Sequence, residues 1–357
     1  MPIADWKARR VKTVGSFEIG NRQAQSGNMS KGLHRFSLLV AGATFFLIIA
    51  GALVTSHDAG LATSDWPLSN GQFFPKMVGN LFWEHGHRMV ATTVGFLTVC
   101  LTLYLYCGQI RRWLERRGLV GPETVYRGEP RGWVRRLGLL ALLGVVAQGL
   151  LGGLTVKLNL PLVVSTAHAT LAQLFFCTTV SLAVFTSRSW IATRPASEEQ
   201  GSPPVRYLCV AAAVTIFLQL IIGATLRHSA TWDEPLPTDL LLTHVGGAIA
   251  VTVLLGGTAF VILRRHPAEA FLTRPAKIAL ALLAVQLLLG IAAYITRMAS
   301  PSDPQPLNPM VGITVAHVAC GAAVFATTIV LTLRAFRVLR GTATAFSFAS
   351  SPQRHQV

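Results

Sequence analysis

FSLLVAGATFFLIIAGALVT, residues 36–55, is an apolar run of about 20 residues, the length that carries an α-helix across the hydrocarbon core of a bilayer. The stretch before it, Met1–Arg35, is polar and basic. The run is too long, and lies too far into the chain, for the short apolar core of a cleaved signal peptide. It reads as a true span. Seven more runs of similar character follow at 87–107, 137–155, 163–186, 206–226, 240–263, 277–296 and 312–335. Backbone N–H and C=O groups find no partners in lipid, so runs of this length must satisfy them internally and read as helices.

The composition agrees. Of 357 residues, 52% are hydrophobic and 13% charged, against about 25% charged in a soluble domain. A net charge of +16 could suggest nucleic-acid binding. The basic residues, however, lie between the apolar runs rather than along one polar face, which speaks for membrane topology and against a nucleic-acid partner. The five cysteines all fall within or at the edges of apolar runs, and neither a c-type haem attachment motif nor a paired zinc spacing is present.

Lysine and arginine also give an orientation. The N-terminal tail (Lys7, Arg9, Arg10, Lys12, Arg22, Lys31, Arg35), the loop 108–136 with its eight arginines, the loops 187–205 and 264–276, and the C-terminal tail are basic. The alternate loops 56–86, 156–162, 227–239 and 297–311 are poor in Lys and Arg and carry Asp58, Asp65, Asp233, Glu234 and Asp303. The positive-inside rule therefore predicts that both termini are cytoplasmic.

A weak repeat runs through the odd spans. Gln148 and Gly152, Gln219 and Gly223, and Gln286 and Gly290 are each four residues apart, and Lys157, Arg227 and Arg297 follow at the outer ends. The first span has Gly51 but Leu47 in the glutamine position. Close helix packing, with Gln as an interhelical donor, accounts for the pairs. The basic ends read equally as snorkelling residues or as receivers of anionic groups such as haem propionates.

Four histidines occupy the even spans: His87, His168, His244 and His317. The last three follow about four to six residues after the span begins, roughly 6–9 Å of helical rise. His87 lies nearer the boundary unless Asn80–Gly86 extends its helix. Small neighbours (Ala167, Ala169, Gly246, Gly247, Ala316, Ala319, Gly321) leave room for a flat, bulky ligand. Imidazole is a common axial ligand of haem iron, and helix bundles build cofactor sites from facing side chains. Two pairs suggest two haems. Hydrogen-bonded core histidines or a proton relay are the competing accounts, although ionisable groups in a bilayer are expensive and usually functional. On the second span, Glu84 shares a face with His87 and forms an i,i+4 pair with Arg88, while His85 points about 200° away from His87. The choice there is between an interfacial ion pair and a carboxylate that moves a proton or stabilises positive charge.

These residues resemble the haem A synthase family of cytochrome oxidase assembly proteins, over roughly residues 35–335. The likeness rests on Glu84-x-x-His87-Arg88 opening the second span, one histidine in each even span, and an outer loop with Gly60-Leu61-Ala62 and Asp65-Trp66-Pro67-Leu68. The resemblance implies an all-α integral membrane protein whose eight transmembrane helices form two similar four-helix bundles. The division would be a cytoplasmic tail 1–35, an N-terminal half 36–186, a cytoplasmic linker 187–205, a C-terminal half 206–335 and a tail 336–357. It implies oxidation of a ring methyl of haem O to the formyl group of haem A. His87 and His168 would hold the substrate haem, with Glu84 near the reacting methyl, and His244 and His317 the iron of a haem b cofactor. Arg88, Lys157, Arg227 and Arg297 would be propionate or charge partners. The implied setting is the cell inner (plasma) membrane, with a haem O synthase and an electron-transfer protein as partners and a homo-oligomer as an open option. Many bacterial members have paired loop cysteines close to where this chain has Thr63 or Ser64 and Ser69. That departure removes a loop disulfide. Asp65 and Trp66 then read as a lid over the substrate or as a turn with an interfacial anchor.

Three functions stay open at this level: the haem-modifying oxidoreductase, a di-haem b-type electron carrier of the membrane, and a proton-coupled transporter using the histidines without metal. The scarcity of Pro-broken spans weighs against the transporter.

Overall fold

The computed structural model describes residues 31–121, 130–193, 197–199, 201–229, 236–299 and 308–340. Arg127, Asp233, Glu234, Asp303, most of the N-terminal tail and the C-terminal tail beyond Arg340 lie outside these. Eight long helices match the eight apolar runs: α1 (Lys31–Ser56), α2 (Asn80–Arg116), α3 (Gly132–Lys157), α4 (Leu162–Thr186), α6 (Val205–Ser229), α7 (Thr238–Arg265), α8 (Ala270–Met298) and α9 (Asn308–Val338). The remaining helix, α5, is the short Arg188–Ala192. Each long helix has at least 25 residues, about 37 Å of rise against a core of about 30 Å. The protein is a multi-pass membrane protein.

The helices outrun the apolar stretches, and α2 does so most. It starts at Asn80, after Gly79 at φ 55°, and so extends outward under the loop that precedes it. At its other end it continues to Arg116, past the hydrocarbon region, where hydrated charge is tolerated and Arg111 pairs with Glu115 at 3.0 Å. Pro161 and Pro237 stand immediately before α4 and α7, where a missing backbone N–H leaves no ladder bond unmade.

Packing is inverted relative to a soluble protein. Large side chains such as Phe46, Phe96, Leu143, Val163, Val253 and Leu288 face outward as the lipid surface. The interior favours small residues, which let helices approach closely where no hydrophobic force draws them together. One buried cluster draws on α1–α4, including Val40, Val94, Leu101, Ala141 and Leu182. Another draws on α6–α9 with Leu339, and includes Cys209, Ala259, Leu272, Ala276 and Leu331. A third joins them, bringing Ile48 and Phe176 against Ala212, Leu255, Ala279 and Phe325.

The segment between α4 and α6 is fastened to the C-terminal helices at the bundle end opposite the histidines. Ser197–Glu198 pairs in parallel with Leu339–Arg340. Glu199 accepts from Arg206 Nε at 2.6 Å and from its backbone N at 3.0 Å. Arg265 donates to the carbonyls of Ser202 and Pro203. Beside this fastening His266 is buried, its Nε2 without a partner among the described residues.

Burial holds the His266 imidazole below its ordinary value, only partly offset by Glu199 and Glu269. The fold thus favours the neutral ring. This group leaves stability untouched above about pH 6.5 and withdraws it as pH falls from there through the lower folded value. Thermal unfolding of the detergent-solubilised protein between pH 7.5 and 5 should show the loss, and His266→Gln should flatten it. An unchanged slope would mean that other groups govern the acid response.

Candidate functional site

Each of the four in-span histidines lies against a glycine of the preceding long helix. A Cβ placed on Gly51 would stand 3.1 Å from Cε1 of His87, and one on Gly152 would stand 3.3 Å from Cε1 of His168. At Gly223 and His244 the distance is 2.9 Å, and at Gly290 and His317 it is 3.1 Å. Carbons in favourable contact stand about 3.5–4.0 Å apart, so a side chain at any of these positions would push the ring away. The same ring atom faces the glycine every time. The histidines follow the first residue of their helices by six to nine positions, about 9–14 Å of rise, which places the four rings in one zone at one end of the bundle.

The glutamines four residues before three of these glycines reach the same histidines. Gln148 Nε2 donates to the backbone oxygen of His168 at 3.0 Å. Gln219 Nε2 lies 2.8 Å from the backbone oxygen of His244 and 3.1 Å from its Nδ1. Gln286 Nε2 lies 3.2 Å from Nε2 of His317. The sequence pattern suggests interhelical donors, and the target of each proves to be the histidine of the next span. Among the described residues all three Oε1 atoms are buried without a partner, as are Nδ1 of His87, His168 and His317.

The rings of His244 and His317 lie edge to face, with centres 6.4 Å apart and planes at 68°. A metal–imidazole bond is about 2 Å and the ring centre lies about 1 Å behind its nitrogen, so imidazoles on opposite sides of one metal have centres about 6 Å apart. The spacing of the pair matches that distance. His87 and His168 stand close enough for their charges to act on one another. Among the described residues no three His, Cys, Asp or Glu side chains converge on a point. Two imidazoles suffice for a metal whose other positions are already filled, as those of iron are in a porphyrin.

Beside His87, the segment 63–72 is bolted onto α2. Glu84, 4% exposed, accepts from the backbone N of Thr63 at 3.0 Å and is paired with Arg88. Arg88 also donates to the carbonyls of Asp65 and Leu68 and to the Ser69 hydroxyl. His85 bonds the same Ser69 hydroxyl at 2.9 Å and is buried, so it serves the loop rather than the membrane surface. Arg88, which the resemblance offers as a propionate partner, is thereby committed to the loop. Within the loop, the Thr63 hydroxyl and the Gly71 and Asn70 amides hold the Asp65 carboxyl well below the usual carboxylate range. Asp65 therefore keeps these bonds in moderately acidic solution and releases them only as pH falls through its depressed value. Trp66 covers Gly153, where a Cβ would come within 2.7 Å of the indole. Thr63 and Ser69 make these bonds, and all five cysteines are free thiols.

The other basic ends are distributed unevenly. Lys157 donates to the Ser64 carbonyl at 3.1 Å. Arg227 donates to Ser56 Oγ at 2.6 Å, tying α6 to the end of α1, and lies within Coulombic range of Arg297. His228, which the sequence pattern does not single out, lies near Arg227 and His168. It falls outside the helix-start pattern shared by the other four, and only its adjacency to Arg227 marks it.

Residues 77–232 match the model of a family described as cytochrome oxidase assembly protein, COX15-CtaA. The chain is similar to the haem A synthase of Symbiobacterium thermophilum, 28% identical over 278 residues, covering 73% of this chain and 85% of that protein. It is 24% identical to that of Shouchella clausii over 290 residues, covering 75% and 88%. For the haem A synthase of Bacillus licheniformis the match is 23% over 206 residues, so this chain spans 61% of that protein's length.

Gly223→Val tests the glycine contact. The added side chain displaces the His244 ring, so if His244 and His317 hold a haem the purified variant should lose Soret absorption while remaining folded by circular dichroism. Retention of the full Soret band would show that the contact is dispensable.

Proposed function

We infer that this chain, which belongs to the haem A synthase family of cytochrome oxidase assembly proteins, is an oxidoreductase of haem A formation that converts the ring methyl of haem O to a formyl group. The observation that carries this reading is the buried Glu84, held by Thr63 and Arg88 on the helix that presents His87. An electron carrier has no use for such a carboxylate. A reaction that draws electrons from a macrocycle methyl leaves positive character, which a fixed carboxylate in a water-poor site stabilises strongly.

In this reading the N-terminal half, 36–186, holds the substrate haem between His87 and His168. The C-terminal half, 206–335, holds a haem b between His244 and His317. The adjacent pair with ring centres 6.4 Å apart, and the buried ring nitrogens of His87, His168 and His317 that have no partner among the described residues, support a haem-ligand role. When bound, the second haem supplies one-electron redox chemistry. The protein residues orient, exclude water and hold charge. Arg227 and Arg297 are the charge partners for propionates of the C-terminal haem and Lys157 for those of the N-terminal one. Arg88 would join them only by giving up a loop carbonyl. The Lys/Arg distribution supports a plasma-membrane protein with both termini in the cytoplasm. A haem O synthase and an electron acceptor are its partners by chemistry. Phe73 and Phe74, the most exposed aromatics beside the start of α2, suit contact with lipid at the membrane interface.

Pigment extraction from cells supplied with haem O tests the reading. Wild-type protein should yield haem A. Glu84→Gln should retain the Soret band yet lower haem A production about 100-fold, the scale of losing one preorganised charge-stabilising group. Two bound haems with haem O unchanged in the wild type would make the protein an electron carrier. Absence of any Soret band would leave the transporter reading.

A further inference from the structure

The last two turns of α9 carry Arg334 and Arg337, three residues apart and so neighbours on one side of the helix. The guanidinium of Arg334 lies over the Phe271 ring, 4.5 Å from its centre, and its Nη1 donates to the Phe271 carbonyl at 3.3 Å. That of Arg337 lies 5.5 Å from the ring centre of Trp190 on α5, which Phe185 of α4 meets edge-on at 4.9 Å. Arg274, about one turn beyond Phe271 on α8, lies within Coulombic range of Arg334. Among the described residues no carboxylate is ion-paired with Arg274, Arg334 or Arg337. Arg334 Nη1 makes the only hydrogen bond of the three guanidinium groups among those residues, and Nε of Arg334 and of Arg337 is buried without a partner. Arg206, at the same end of the bundle, has Glu199 to answer it.

We propose that Arg274, Arg334 and Arg337 form a binding site for the phosphate headgroup of an anionic phospholipid. A guanidinium is charged at any ordinary pH and carries five donors, so it is satisfied best by an anion with several acceptor oxygens. Stacking on an aromatic ring engages the face of a guanidinium, whereas a phosphate is held by its edge, so the two contacts are compatible. Like charges gathered without an acid repel one another, and a bound anion removes that cost. The surroundings select what carries the anion. The site lies at the bundle end opposite the histidines, where α9 finishes. Phe336 stands between the two arginines in sequence, Ile278 one turn from Arg274, and Ile191 next to Trp190; all three are exposed apolar side chains of the lipid surface. A ligand that meets both kinds of group is anionic at its head and apolar below, as a phospholipid is and inorganic phosphate is not. Basic sites between transmembrane helices on the cytoplasmic side hold headgroups of this kind. A lipid held there touches α5, α8 and α9 together, and so adds to the pairing of Ser197–Glu198 with Leu339–Arg340 at the same end. The site is independent of what the histidines bind.

The test uses the purified full-length protein in detergent, with phosphatidylglycerol, phosphatidylcholine or inorganic phosphate added. Native mass spectrometry counts the lipid retained, and thermal unfolding reports its effect on the fold. Wild type should retain phosphatidylglycerol in preference to phosphatidylcholine and unfold at a higher temperature with it. Arg334→Gln combined with Arg337→Gln should weaken phosphatidylglycerol binding about 30-fold, the scale of two arginines lost against anionic lipid. Arg116→Gln, which removes an exposed arginine at the same end of the bundle, should leave binding unchanged. Should the glutamine pair fail to fold, Arg334→Lys with Arg337→Lys decides. It keeps the charge but loses the two-pronged edge, and should bind several-fold more weakly. Equal retention of the two lipids by wild type, full phosphatidylglycerol binding in either paired variant, or an equal loss in Arg116→Gln overturns the proposal. So does stabilisation by inorganic phosphate alone, which would make this a site for a soluble anion.

Discussion

Where an odd span meets the even span that follows it, the helices touch at a glycine, and the hydrogen in place of a side chain leaves room for the edge of one imidazole. The contact recurs at Gly51, Gly152, Gly223 and Gly290, with the same ring carbon facing the glycine each time. In a bilayer there is no hydrophobic force to press helices together, so shape decides where they meet. Depth, ring direction and the facing of His244 and His317 all descend from that fit. The third apolar cluster and the Arg227–Ser56 bond then join the two sets of helices around it.

Unpartnered polar atoms concentrate in the same zone. Leaving a buried donor or acceptor unsatisfied costs about 1–3 kcal/mol. Among the described residues, three carboxamide oxygens and three imidazole nitrogens around the histidines are in that condition. A fold selected for stability alone would have filled these places with leucine, as α1 does at Leu47. Keeping them polar makes sense for a bundle completed by a ligand that takes up the histidine lone pairs. The fastened segment between α4 and α6 sits at the opposite end, away from this zone.

The eight helices were legible because lipid enforces a crude rule: length and apolarity suffice, and each predicted span falls within a long helix. The four histidines were legible for the related reason that ionisable groups are rare there. What the glutamines do was only half legible. Their spacing from glycine was plain, but a one-dimensional pattern could not say that the glutamine of one helix reaches the histidine of the next. The loop was the least legible part. Thr63 and Ser69 read merely as places without cysteine, because their partners Glu84, His85 and Arg88 lie more than fifteen residues further on. Hydrogen bonds of that reach leave no periodic trace.

Since the backbone amide of Thr63 and the carbonyls of Asp65 and Leu68 are fastened to Glu84 and Arg88, the loop and the buried acid share their bolts. Any movement that lifts the loop from α2 also strips Glu84 of a hydrogen bond and Arg88 of its carbonyl contacts. The position of the loop and the surroundings of the carboxylate therefore cannot change independently.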